Sequence, residues 1–320
     1  MKTALSDILL QKGFITQSEH ENVRREHPIS VYWDLRLLLY LGVLLVTTAI
    51  GILIYKNIDT IGHGVLLIVI ALLVVTCFAY CLKKSKGYQH TKVNVSAIWP
   101  DYILLAGCLL FLTLVAFAQF QYNFFGDRWG LALFIPMVLL FISAYYFDHL
   151  GALSLAITNL AAWAGIAITP VSLLQQSDFN EERVMFTGLL LGILLLAISV
   201  LSQSKNIKRH FAFTYRNFGV HLFFIFLLAI LFYYDRFYLL IFLILTSASF
   251  FLFKNFIKEN SIYFLVVTIL YFYIGLSYVA VCILSIDSMG GFYGVILYFI
   301  FSGIGLIAVF KSLQKKLKAQ

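Results

Sequence analysis

Along this chain the apolar positions neither alternate with the period of two that marks a half-buried strand nor recur every third and fourth residue on one face of a surface helix. They run in long unbroken blocks, each closed off by a short polar or charged link. About 20 apolar residues at 1.5 Å each span the ~30 Å of hydrocarbon in a bilayer. Ten blocks of roughly that reach can be marked: 37–55, 61–82, 101–120, 130–147, 150–170, 184–202, 218–234, 237–253, 261–284 and 291–310. A backbone amide left unpaired in lipid costs several kcal/mol, so only helices or a closed barrel can cross, and continuous blocks select helices. The expected fold class is all-α, a polytopic transmembrane helical bundle of about ten helices. Its predicted parts are a cytoplasmic amphipathic helical hairpin over 1–35, the transmembrane domain over 36–310 and a basic cytoplasmic tail over 311–320.

The stretch 99–175 reads as the centre of that bundle, because it holds three crossings in succession and the third is the richest in small residues. Gly151, Ala152, Ser154, Ala156, Ala161, Ala164 and Gly165 let backbones approach closely, the main source of packing energy between helices in lipid. The fifth span should therefore be enclosed by others. Gly188 and Gly192 in the sixth form a small-xxx-small pair. Spans seven to nine, dense in Phe, Tyr, Ile and Leu, read as the lipid-facing outer layer. Asp148 and His149 turn the chain between spans four and five, and Tyr234-Asp235-Arg236 splits spans seven and eight into a hairpin. Without that split the charged pair would sit at mid-bilayer, at ~2.5 to 3.5 kcal/mol per residue. Pro100 fits the first turn of a helix, whereas Pro136 lies inside the fourth span and should kink it.

Ahead of the membrane, Leu5, Ile8, Leu9 and Leu10 suggest a helical turn or two ending at Gly13. Thr16 with Glu19 has capping-box spacing for a second helix from Gln17 to about Glu26, and Pro28 stops it. The first thirty residues contain no apolar run with a cleavage site, so the first crossing is expected to direct insertion.

Composition and charge then narrow the picture. With 62% hydrophobic and 12% charged residues and a mean hydropathy of +0.93, the chain falls outside the soluble globular range. With the amino terminus inside, nineteen of the 23 Lys and Arg residues fall on cytoplasmic segments, and Lys56, Arg128, Arg183 and Arg236 fall outside. That asymmetry puts both termini in the cytoplasm, and it accounts for the net charge of +8 without a nucleic-acid partner. The lipid bilayer is the partner that the composition implies.

Candidate chemistry is sparse. The deep parts of the ten blocks hold no Asp, Glu, Lys or Arg. Asp101 and Asp148 lie at cytoplasmic helix ends, where contact with headgroups makes a carboxylate cheap. Gln119 and Asn159 form the candidate intramembrane polar site. Asn159 is the more telling, since an amide at the bilayer centre must pair, either as glue between helices or with a ligand. On the outer face, Tyr122, Asp127 and Arg128 form a second candidate motif, and Asp127-Arg128 is echoed by Asp235-Arg236. His63 and His221 are read as helix-end imidazoles, solvated or singly hydrogen-bonded. Cys77, Cys81, Cys108 and Cys282 all fall within apolar blocks and read as buried free thiols, with no metal implied. No nucleophile elbow, zinc-protease helix or phosphate loop is present in the sequence, so no catalytic residue, no cofactor and no enzyme activity is expected.

Several of these features resemble one family. Leu9-x-x-x-Gly13-Phe14-Ile15-Thr16, Arg36 leading into a first span with Gly42, Tyr55-Lys56-Asn57, and above all Ala118-Gln119-Phe120-Gln121-Tyr122 with Gly126-Asp127 are similar to a bacterial family of predicted membrane proteins, the domain-of-unknown-function family twenty-one fifty-seven. The likeness covers roughly 5–170 and implies a bacterial inner-membrane home without a mechanism. The functional expectation is a small-molecule or lipid-related transporter. The alternative is a non-transporting scaffold or regulatory subunit that binds a protein partner through residues 1–30.

Overall fold

The computed structural model describes Gly13, 16–18, 32–85, 87–91, 99–168, 182–284 and 289–318. The amino-terminal hairpin falls almost entirely outside these residues. Within it, Gly13 is left-handed at φ +70° and Gln17 and Ser18 are helical. Among the described residues there are ten long helices, and each coincides with one of the predicted blocks: α1 (Tyr32–Ile61), α2 (His63–Lys84), α3 (Trp99–Tyr122), α4 (Trp129–Phe147), α5 (Leu150–Ile168), α6 (Glu182–Ser204), α7 (Phe211–Tyr233), α8 (Tyr238–Lys258), α9 (Ile262–Leu284) and α10 (Met289–Lys318). There are no strands among the described residues. Eight of the helices are long and apolar enough to cross a bilayer, while α1 and α5 carry the shorter apolar stretches Leu37–Ile52 and Leu150–Gly165. The fold class is therefore the expected all-α polytopic bundle.

The chain divides into two compact units, residues 1–62 and 63–320. In the first, α1 hides its hydroxyls within itself: Thr47 and Thr48 donate to the carbonyls of Val43 and Leu44 one turn back.

In the second unit, successive helices pair as antiparallel neighbours, and the closest pair is α6 with α7. Gly188 and Gly192 make that approach possible. A Cβ on Gly188 would meet the ring of Phe226, and one on Gly192 would lie 2.5 Å from the backbone nitrogen of Phe223. Gly219 answers from α7, where a Cβ would lie 2.9 Å from the backbone nitrogen of Leu196. Ser199 also donates its hydroxyl across this seam to the carbonyl of Ala212 at 2.8 Å. The small-xxx-small pair is thus a real contact, against a ring at Gly188 and against backbone at Gly192.

The small-residue helix α5 packs against α3, α4, α6 and α7, with Ala152, Leu153, Ala156 and Ile157 fully buried. Enclosure of the fifth span is as expected. Assignment of the seventh span to the lipid-facing layer is overturned, because α7 has half of its most apolar window buried and packs on α5, α6, α8 and α9. Hydropathy counts an aromatic ring as equally content in lipid or in protein. Here Val220, Phe224 and Leu231 of α7 form a core with Leu245 and Leu265, and Phe224 stacks on Tyr271 at 5.2 Å.

Helix α7 also begins at Phe211 rather than at 218, since Thr214 and Arg216 are buried within it. The Tyr234–Phe237 hairpin forms as expected around a 3₁₀ turn at Asp235–Phe237.

Candidate functional site

The two amides singled out from sequence are brought to different places. Gln119, buried in the last turn of α3, gives its Nε2 protons to Asn123 Oδ1 (3.0 Å) and to the Gly126 carbonyl (2.9 Å), while its Oε1 accepts the Phe125 N–H (2.9 Å). Every one of these partners lies in the α3–α4 turn, where Asn123 and Gly126 are left-handed, so Gln119 acts as the template of that turn. Asn159 crosses from α5 to α4 and donates Nδ2 to the Leu133 carbonyl at 3.0 Å. Pro136, inside α4, has no N–H to give back along its helix, and Asn159 binds in this same turn. On the turn itself, Tyr122, Asp127 and Arg128 are exposed.

The most structured polar centre lies at the other end of the unit, where the α2–α3, α4–α5 and α6–α7 connections meet. Asp148 ends α4 in the left-handed region at φ 60°, with its N–H on the Ala144 carbonyl. His149 then caps α5 by accepting the Ala152 N–H on Nδ1 at 2.9 Å. Sixty residues on, Lys208 is also left-handed, at φ 49°, and its side chain is completely buried. Lys208 Nζ reaches Asp148 Oδ1 at 2.6 Å, and His210 Nε2 reaches the same oxygen at 2.8 Å. The expectation of a solvated, headgroup-exposed Asp148 is overturned, because its side chain is only 2% exposed. The reason is tertiary: the α6–α7 link folds down over the α4 terminus and brings its own counter-charge.

Lys208 is held from all sides. Its N–H donates to the His90 carbonyl at 3.0 Å, its carbonyl accepts from Phe211 N–H at 2.7 Å, and Nζ lies 5.4 Å from the Tyr88 ring centroid. Left-handed backbone costs a non-glycine residue roughly 1 kcal/mol, and removing an ion from water costs several. Both penalties fall here on the same two residues.

Beside this pair opens a cleft of about 540 Å³ lined by Thr91, Asn206, Arg209 and His210. Among the described residues the lining offers hydroxyl, amide, guanidinium and imidazole groups and no carboxylate. His210 belongs to both features, forming one wall of the cleft and resting on Asp148 from behind. A second charged contact at the same end joins Arg216, buried over the rings of Phe256 and Phe264, to Glu259.

Sequence reasoning also misplaced His221. Because α7 starts at Phe211, His221 is in mid-helix rather than near an end. Both of its ring nitrogens are engaged: Nδ1 with Tyr271 Oη at 2.8 Å and Nε2 with Tyr263 Oη at 3.0 Å. The four cysteines are free thiols; Cys81 and Cys108 are buried as expected, whereas Cys77 and Cys282 are only half-buried. No local signal marks the Asp148–Lys208 pair, whose members belong to separate links. The sequence clue at hand was the run Lys208-Arg209-His210 directly ahead of a helix.

The model of a family described as predicted membrane protein (DUF2157) matches residues 7–153. The matched part contains the Gln119 turn and Asp148 and stops short of Lys208. No curated protein and no solved structure matches the chain.

Proposed function

We propose that this protein is a non-enzymatic membrane transporter of a small-molecule or lipid-related ligand bearing an anionic group, taken up at the end that carries the cleft. The positive-inside asymmetry of the sequence makes that end cytoplasmic, with both termini on the same side and the inner membrane as the home. One observation carries the reading: a cleft lined by Arg209, His210, Thr91 and Asn206 is built onto a buried ion pair whose two members both occupy strained backbone. Buried ion pairs add little net stability, and strained backbone gathers at sites that must hold a fixed shape. An arginine fork beside an imidazole suits phosphate or carboxylate oxygens. The amides of Gln119 and Asn159, spent on the α3–α4 turn and on the Leu133 carbonyl, serve to hold the scaffold in this reading.

The test uses the full-length protein in proteoliposomes containing acyl-labelled phosphatidylglycerol, with inorganic phosphate uptake as a parallel arm. Wild-type protein should speed movement of one of these across the bilayer well above empty vesicles. Arg209→Gln, an exposed change that leaves the ion pair intact, should lower that rate at least tenfold. If neither probe moves faster than in empty vesicles, or if Arg209→Gln is as active as wild type, the proposal fails.

A further inference from the structure

An ionisable side chain halfway along a membrane-spanning helix is expensive, and a proton or ion pathway is the first function to test for it. His221 is the eleventh residue of the 23-residue α7. Its surroundings define where its proton sits. Tyr263 has a single hydroxyl proton and gives it to Asn217 Oδ1 at 2.6 Å. The Tyr263 oxygen can therefore meet His221 Nε2 only as an acceptor, so Nε2 carries the ring proton. Nδ1 is left with its lone pair and accepts the Tyr271 hydroxyl. Four side chains thus form one chain with one polarity, from Tyr271 through His221 and Tyr263 to Asn217.

The two ends of this chain differ. Tyr263 is the second residue of α9, 44% exposed, at the same end of the unit as the cleft. Tyr271 lies two turns deeper with its ring stacked on Phe224. The charged groups of the helices packed on α7 lie away from the imidazole. Helix α5 has no Asp, Glu, Lys or Arg. Glu182 and Arg183 begin α6 at the opposite end, and Lys254 and Lys258 close α8 at the cleft end. Arg216, five residues before His221 on α7, is paired with Glu259. Helix α9 presents the phenols of Tyr263 and Tyr271 to the ring.

We propose that His221 is a proton-binding site inside the membrane, taking up a proton on Nδ1 while Tyr263 holds Nε2, and altering the α7–α9 contact through Tyr271. A proton delivered by hydronium to Nδ1 makes the ring a donor on both sides. Tyr271, whose own proton pointed at Nδ1, must then turn its hydroxyl and accept. Release is the reverse: Nδ1 returns its proton to water, and Tyr271 turns its hydroxyl back to the freed lone pair. One proton enters and the same proton leaves, and the ring returns to the tautomer protonated on Nε2.

The measurement is ¹⁵N-histidine NMR of the full-length protein in lipid nanodiscs, with His221→Gln identifying the signal. At high pH the ring should appear as a single neutral form protonated on Nε2, converting to the doubly protonated form as the pH is lowered through the imidazole range. In Tyr271→Phe the cation loses a charge-assisted acceptor, and the proton affinity should fall roughly three- to tenfold. A ring that stays neutral from about pH 8 to about pH 4, the opposite tautomer at high pH, or an unchanged midpoint in Tyr271→Phe would overturn the proposal. None of these results depends on whether the cleft binds an anion.

Discussion

The α3–α4 turn and the α4–α5 link both place an aspartate in a short polar break between apolar helices, yet they solve the problem of its charge in opposite ways. In the first, Asp127 and Arg128 are adjacent in sequence and exposed. In the second, Asp148 is buried under Lys208 and His210, its charge met by residues from a link sixty positions away. The exposed turn derives its order from the neutral amide of Gln119, which binds three points of the loop. The buried link derives its order from charge. An Asp beside a helix end is therefore not a measure of solvation: what folds over it decides whether water or a counter-ion satisfies it.

Several substitutions probe this contrast. The largest effect should come from Lys208→Met, which takes the buried ammonium away from the buried Asp148 carboxylate and should destabilise the protein by about 3–5 kcal/mol. Denaturation of the detergent-solubilised protein measures it. Adding Asp148→Asn should recover most of that loss, and a single variant as stable as wild type would show that Asp148 reaches water after all. A smaller loss, about 1–3 kcal/mol, is expected for Gln119→Leu, which strands the Phe125 N–H and the Gly126 carbonyl. The same denaturation reads this out, and proteolysis confined to 123–128 would localise it. The smallest effect belongs to the paired change Asp127→Asn with Arg128→Gln, expected within about 0.5 kcal/mol of wild type. A loss as large as that of Lys208→Met would mean that the exposed charges also hold the turn, and the contrast would collapse.

How much of this was legible before the structure follows from the range of each cause. The ten helices, the turn at Asp148 and the hairpin at Tyr234–Phe237 depend on residues within a few positions of one another. Pro100 in the first turn of α3 and the glycines of α6 were similarly readable, although the sequence could not say that Gly219 and Phe223 would meet Gly192. The start of α7 was misplaced because Thr214 and Arg216 look like loop residues to any local measure. They become helical and buried because Glu259, with Phe256 and Phe264, lies across from Arg216. His221 was misjudged by the same error, since its depth follows from where α7 begins. Asn159 and Gln119 were correctly recognised as amides in need of partners, but which carbonyls they would find was not readable.

Taken alone, the sequence determined the solvent: long apolar blocks are additive, local quantities, and lipid responds to them one helix at a time. The tertiary structure decided which polar groups leave water. That outcome depends on pairs such as Asp148 with Lys208 and His221 with Tyr263 and Tyr271, whose members are distant in the chain and stable only together, because a buried charge or imidazole is tolerated when its partner arrives with it.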